Sequence, residues 1–267
     1  DPPYELGFMG RKWDRSGIAS SVPMWAEVAR VLKPGAHLAA FGGTRTFHRV
    51  AVAIEDAGFE IRDTLCWLYG SGFPKSHNQP GGWGTALKPA WEPIILARKP
   101  LVGTVAGNMA AHGTGAINID GCRIGEGADK ASGGNSGQTK AQALHAGGIK
   151  VSTATDYTLG RWPANVAHDG SDEVLEAFAR FGERNGGHHP AARGRGNIST
   201  SGHAGQSDLV ERHGDTGTAA RFFYEAKASR EERGEGNNHP TVKPLALMRW
   251  LCRLITPPGG TVLDPFL

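Results

Sequence analysis

A chain of 267 residues can bury the core of one large domain, or of one and a half. Hydrophobic residues at 39% and charged residues at 21% put it among ordinary soluble globular proteins. No run of about eighteen apolar residues is present, which excludes a membrane-spanning helix, and no signal peptide opens the chain. The net charge of +3 suits a polyanionic partner without defining one.

Residues 1 to 101 alternate between α and β patterns. Ser21 is placed to cap a helix that Pro23 opens, with Trp25, Val28 and Leu32 on one face and Pro34-Gly35 as its stop. His37 to Phe41 reads as a short strand ending in Gly42-Gly43. Thr44 is expected to cap a second helix, with Phe47, Val50, Ala51 and Ile54 at helical spacing and Gly58 closing it. Phe59 to Leu68 and Pro93 to Ala97 read as two further strands, and strand, helix, strand is the pattern of a sheet covered by helices.

From about 102 to 220 glycine is about twice as dense as elsewhere and apolar periodicity fades. Ala116 to Ile119 and Trp162 to Val166 are candidate strands, Glu173 to Phe181 is a candidate helix, and Gly125 to Gly148 reads as a mobile loop. The stretch fits either a disordered insertion or a recognition region riding on loops. Regular pattern returns with Phe222 to Lys227 as a strand. Pro244 then starts a helix whose Leu247, Trp250, Leu251 and Leu254 share a face, and Thr261 to Leu263 begin a strand running into Asp264-Pro265-Phe266.

Cys66, Cys122 and Cys252 are isolated, as in a protein with reduced structural thiols. His188, His189, His203 and His213 lie in Gly-rich sequence without an HExxH or a cysteine pair, so no metal site is expected.

The opening Asp1-Pro2-Pro3-Tyr4 suits one task. An exocyclic base amine is a poor nucleophile because its lone pair is delocalised into the ring. A carboxylate and a backbone carbonyl that accept its two hydrogens localise that pair. Two prolines stiffen the backbone and withhold two N–H donors, and the tyrosine ring offers a stacking face for a base drawn from the duplex. Taken alone, the four residues fit a Pro-rich turn after a strand equally well.

At the other end, His239-Pro240-Thr241-Val242-Lys243-Pro244 leads into the amphipathic helix and then Val262-Leu263-Asp264-Pro265-Phe266. With the opening tetrapeptide, this order resembles the DNA N6-adenine and N4-cytosine methyltransferase family, in the arrangement where the catalytic tetrapeptide comes first and the methyl-donor loop last. Residues 67–75, 86–93 and 221–224 are also similar to phage and bacterial members.

The resemblance implies a fold, a set of roles and partners. The fold is a Rossmann-like, S-adenosylmethionine-dependent methyltransferase α/β sheet, mostly parallel with one antiparallel hairpin strand. Its parts are a first catalytic region at 1–101, a loop-rich target-recognition insert at 102–220 and a second catalytic region at 221–267. Asp1, Pro2, Pro3 and Tyr4 are the expected catalytic residues, with Asp1 and the Pro2 carbonyl receiving the amine hydrogens. Thr241, Lys243, Asp264, Pro265 and Phe266 are the expected cofactor-binding residues, and Lys243 and Thr241 are suited to the cofactor's carboxylate. The sulfonium is already activated, so neither a metal nor an enzyme nucleophile is required. An aspartate at the head of the tetrapeptide goes mostly with adenine, so Asp1 points to N6 of adenine.

Tyr69, Phe73 and Lys75 are candidates for the base pocket or DNA cleft. Lys130, Lys140, Lys150, Arg161, Arg193, Arg195 and Arg212 are candidates for phosphate contacts. Double-stranded DNA is the expected partner and the cytoplasm the expected compartment. A homodimer is compatible with the resemblance.

Three alternatives stay open. One is an N4-cytosine enzyme of the same fold, and another a non-catalytic DNA-binding relic. The third is a relative acting on protein glutamine or RNA, whose tetrapeptide usually starts with asparagine. The family's strand before the tetrapeptide and its glycine loop after DPF are both missing from these residues. The chain is therefore expected to be a segment of a longer protein and to bind the methyl donor weakly by itself.

Overall fold

The computed structural model describes residues 1–7, 12–72, 76–125, 160–185, 216–227, 232 and 242–266. The expectations for Phe73, Lys75, Thr241, Lys130, Lys140, Lys150, Arg193, Arg195, Arg212, the loop after Gly125 and His188, His189, His203 and His213 lie outside these residues.

The first helix, α1 (Val22–Val31), begins as its sequence dictates. Ser21 is its N-cap and accepts a hydrogen bond from the Met24 N–H at 3.4 Å, with proline in the first turn. Trp25 and Val28 are buried, and the Trp25 indole N–H donates to the Ala19 carbonyl at 2.8 Å. Strand β1 (His37–Phe41) follows, then α2 (Phe47–Asp56) and β2 (Glu60–Leu68). The cap of α2 corrects the expectation for Thr44. The residue at the N-cap is Thr46, and its hydroxyl makes no capping bond because it is committed to the Tyr4 carbonyl at 2.6 Å.

Strand β3 (Trp91–Arg98) runs against both β1 and β2. Helix α3 (Val105–His112) lies where loop was expected. It is built around a polar anchor, so an apolar period could not betray it. Asn108 is buried, accepts from the Val102 N–H, and donates to the carbonyls of Pro34 at 2.9 Å and Thr114 at 2.7 Å.

Two expected strands are absent. Ala116 to Ile119 is tied instead to the end of the last helix, the Asn118 N–H donating to Leu254 at 2.8 Å. Thr261 to Leu263 joins no ladder among the described residues, and Val262 and Leu263 are exposed.

The remaining elements are β4 (Val166–His168), α4 (Asp172–Ala179), β5 (Arg184–Asn185), β6 (Thr216–Gly217), β7 (Tyr224–Glu225) and α5 (Leu245–Ile255). Strand β4 starts later than the expected Trp162, because Arg161 is taken up by a two-residue bridge to Ile124.

The described strands form one five-stranded sheet in the order β1-β3-β2-β4-β7 and a small pair, β5-β6. In the large sheet β2, β4 and β7 are mutually parallel, and β1 shares their direction because β3 is antiparallel to both its neighbours. Four co-directional strands and one reversed strand match the expected architecture. Strand β4 lies in this main sheet although its residues fall within 102–220.

Burial alternates along β3. Ile94 and Leu96 pack with Leu247, Trp250, Leu251 and Leu254 of α5, while Ile95 and Ala97 pack with Trp25, Val50 and Ile54 of α1 and α2. Helices thus cover both faces, which is why β3 is buried almost throughout. The three cysteines are free thiols, and no described helix is long and apolar enough to cross a membrane.

Candidate active site

Four parts of the chain converge at one end of this sheet. Asp1 to Tyr4 lie beside the Gly42-Gly43 turn that ends β1. Gly43 has no side chain because Tyr4 occupies the space: a β-carbon there would sit 3.3 Å from Tyr4 Cβ. The Thr46 hydroxyl holds the Tyr4 carbonyl, as noted above. Glu5, directly after the tetrapeptide, takes φ of 54°, a left-handed conformation uncommon for a residue with a β-carbon.

The reversed strand brings Glu92, the second residue of β3, to the same point. The Tyr4 hydroxyl donates to Glu92 Oε2 at 3.0 Å. Lys243, just before α5, donates from Nζ to the Tyr4 hydroxyl at 2.8 Å. It also forms ion pairs with Glu92 Oε2 at 2.8 Å and Asp1 Oδ2 at 3.4 Å. The ammonium lies over the Phe41 ring at 4.8 Å and the Tyr4 ring at 5.2 Å. Side-chain exposure is only 7% for Lys243 and 11% for Glu92, so these charges are screened little by water.

Burial pushes the Tyr4 hydroxyl well above its ordinary pKa, helped by the Glu92 carboxylate, which keeps it a neutral donor. Burial pulls the Lys243 ammonium down, and Glu92 opposes that pull. Tyr69, just past β2, is pushed up to about 12 by burial and by Glu92.

The expected cofactor residues Asp264, Pro265 and Phe266 meet Asp1 and Pro2 along one groove of about 370 Å³. Its walls are apolar, from Val28, Leu38, Ala40 and Leu251, and its charged end carries Asp1 and Asp264. Asp264 accepts the Phe266 N–H at 3.0 Å, which forms a tight turn, and the Phe266 ring packs against Trp25 at 6.0 Å. Lys243 is absent from this lining and faces the tetrapeptide. Thr241 falls outside the described residues.

Sequence reasoning missed Glu92, Phe41 and Thr46. Glu92 had a signal, being a lone carboxylate opening an otherwise apolar strand. Thr46 had none, since a threonine before a helix reads as a cap.

No group of three or more His, Cys, Asp or Glu among the described residues could hold a metal ion. Fold and site together define a class: a Rossmann-like α/β protein whose polar groups converge on an Asp-Pro-Pro-Tyr turn. The chain belongs to the N6/N4 DNA methylase family, whose model matches residues 1–267.

Among curated proteins it is similar to the type II methyltransferase M.HindIII of Haemophilus influenzae, 34% identical over 116 residues. That match covers 36% of this chain and spans only 38% of the relative's length. Among solved structures it is similar to the M1.HpyAVI–SAM complex, at 19% identity and a TM-score of 0.23, covering 30% of this chain and 38% of that one. A second is TTHA0409 of Thermus thermophilus, described as a DNA modification methylase. It shows 20% identity and a TM-score of 0.27, with 41% of this chain and 47% of that one covered. The fold stated above rests on the strand order itself.

Proposed function

We propose that this chain is the catalytic body of a site-specific DNA methyltransferase that carries a methyl group from S-adenosylmethionine to N6 of adenine in double-stranded DNA. The observation that carries the reading is the Asp1 carboxylate. One of its oxygens is tethered to Lys243, while Oδ1 accepts no hydrogen bond from any described residue and lies at the charged end of the groove.

S-adenosylmethionine supplies a methyl group on a sulfonium whose thioether leaves with the bonding electron pair. The groove fits such a molecule in kind, pairing apolar walls for a nucleoside with the Asp1 and Asp264 carboxylates for a cation. Asp264, Pro265 and Phe266 are the proposed donor-binding residues, with Thr241 as a further candidate. Asp1 Oδ1 and the Pro2 carbonyl take the two amine hydrogens, which localises the nitrogen lone pair and gives the departing proton an acceptor. Tyr4, fixed at its carbonyl by Thr46 and at its hydroxyl by Glu92 and Lys243, holds its ring still for a flipped base. The stretch 102–220 is proposed to choose the DNA site, and the cytoplasm is the proposed compartment.

The test is nucleoside mass spectrometry on DNA exposed to the protein with the sequence that naturally flanks these residues. N6-methyladenine is expected, and N4-methylcytosine as sole product overturns the adenine assignment.

A further inference from the structure

Glu92 has no assigned role in the chemistry just described, yet it sits at the centre of the cluster. It is 8% exposed, on a strand buried almost throughout, and a carboxylate there must be matched by a cation or by donors. It has both, Lys243 and the Tyr4 hydroxyl, reached from two segments far apart in sequence. Lys243 for its part stands just ahead of the α5 N-terminus, where the helix dipole disfavours a cation, so it depends on nearby carboxylates.

We infer that Glu92 is a positioning residue for methyl transfer: it holds the Lys243 ammonium and the Tyr4 hydroxyl so that Asp1 remains free to receive the base amine. The inference rests on the reading of Asp1 given above. The distances carry it. Lys243 lies 2.8 Å from Glu92 and 3.4 Å from Asp1, so Glu92 takes the closer share of the cation. Without the Glu92 charge, the ammonium has only the Asp1 carboxylate to pair with, and that carboxylate becomes a poorer acceptor.

The charge count points the same way. Two carboxylates, one ammonium and a neutral tyrosine leave one net negative charge beside a nitrogen that becomes cationic as the N–C bond forms. Removing the Glu92 charge makes the cluster neutral when that stabilisation is needed.

The test is single-turnover methylation by Glu92→Gln, beside wild type and Asp1→Ala. Glutamine keeps the shape and an acceptor for Tyr4 but loses the charge. The expected result is a rate at least about tenfold lower, the scale of a modest misplacement of reacting groups, with KM for DNA and for S-adenosylmethionine changed less than about twofold. A structural defect alone would leave the pH profile in place, whereas this role moves it. The charged and titratable groups facing Lys243 are Asp1 and Tyr4 from the tetrapeptide and Glu92 from β3, with Tyr69 beyond Glu92. Because Glu92 is what raises Lys243, its loss should shift the alkaline limb of the rate downward by about one pH unit.

Should Glu92→Gln melt early, the Glu92→Gln/Lys243→Met double variant removes both buried charges together. It should be no slower than Lys243→Met alone if the pair works as a unit. A Glu92→Gln rate within twofold of wild type and an unmoved limb, with Asp1→Ala inactive, overturns this inference and leaves the reading of Asp1 intact. A wild-type rate retained by Asp1→Ala overturns that reading, and this inference with it.

Discussion

His37 offers a quantitative check on the packing of β1. It opens that strand and lies opposite Arg98 of β3 in the register. Arg98 is pinned by Glu60 at 2.6 Å and donates to the Gly115 carbonyl at 3.2 Å, so it cannot swing away. Burial strips water from the imidazole, and the guanidiniums of Arg98 and Arg62 oppose a further positive charge. Together they lower its pKa from 6.5 to about 4. At about 1.4 kcal/mol per pH unit, that difference corresponds to about 3 kcal/mol, and partial exposure of the ring reduces it to about 2 kcal/mol.

The folded state binds this proton more weakly than the unfolded chain does. The contribution is therefore fully present above pH 6.5 and is lost as the pH falls through the window to about 4. His37→Gln keeps a polar side chain of similar reach and removes the titration. Urea unfolding at pH 7.5 and pH 4.5 should show wild type losing about 2 kcal/mol more than the variant. The carboxylates that titrate in the same range are common to both proteins and cancel. Equal losses in the two proteins would refute the burial of this histidine against Arg98.

Two further outcomes follow from packing. Leu247→Ala, at a fully buried position under the sheet, should lower stability by about 3 kcal/mol in urea unfolding. Leu245→Ala, on the exposed side of the same helix, should stay within about 0.5 kcal/mol of wild type, and equal effects would contradict the packing of α5. Gly43→Ala puts a β-carbon 3.2 Å from the Thr46 hydroxyl and 3.3 Å from Tyr4, so Tyr4 or the turn must give by a few tenths of an ångström. The single-turnover rate should fall about three- to tenfold with little change in melting temperature. An unaffected rate would show that Tyr4 does not need this fit.

Residue order alone determined the elements with strong local signals. Helix α1 carries its own serine cap, opening proline and apolar stripe, and α5 carries a stripe that does bury Leu247, Trp250, Leu251 and Leu254. The motif order at the two ends pointed to the family before any contact was seen, because short motifs keep their identity wherever the chain goes.

Other features existed only in three dimensions. Helix α3 turns on a buried asparagine that bonds backbone from elsewhere in the chain, and no apolar period announces such an anchor. Thr46 looks like a helix cap until Tyr4 arrives to claim its hydroxyl. Glu92 and Lys243 are 151 positions apart, from their numbering, and become partners only because a reversed strand enters the sheet at the end where α5 begins. Local periodicity records which face a residue turns inward, whereas an ion pair between distant segments depends on strand order and direction. Only the folded sheet supplies those.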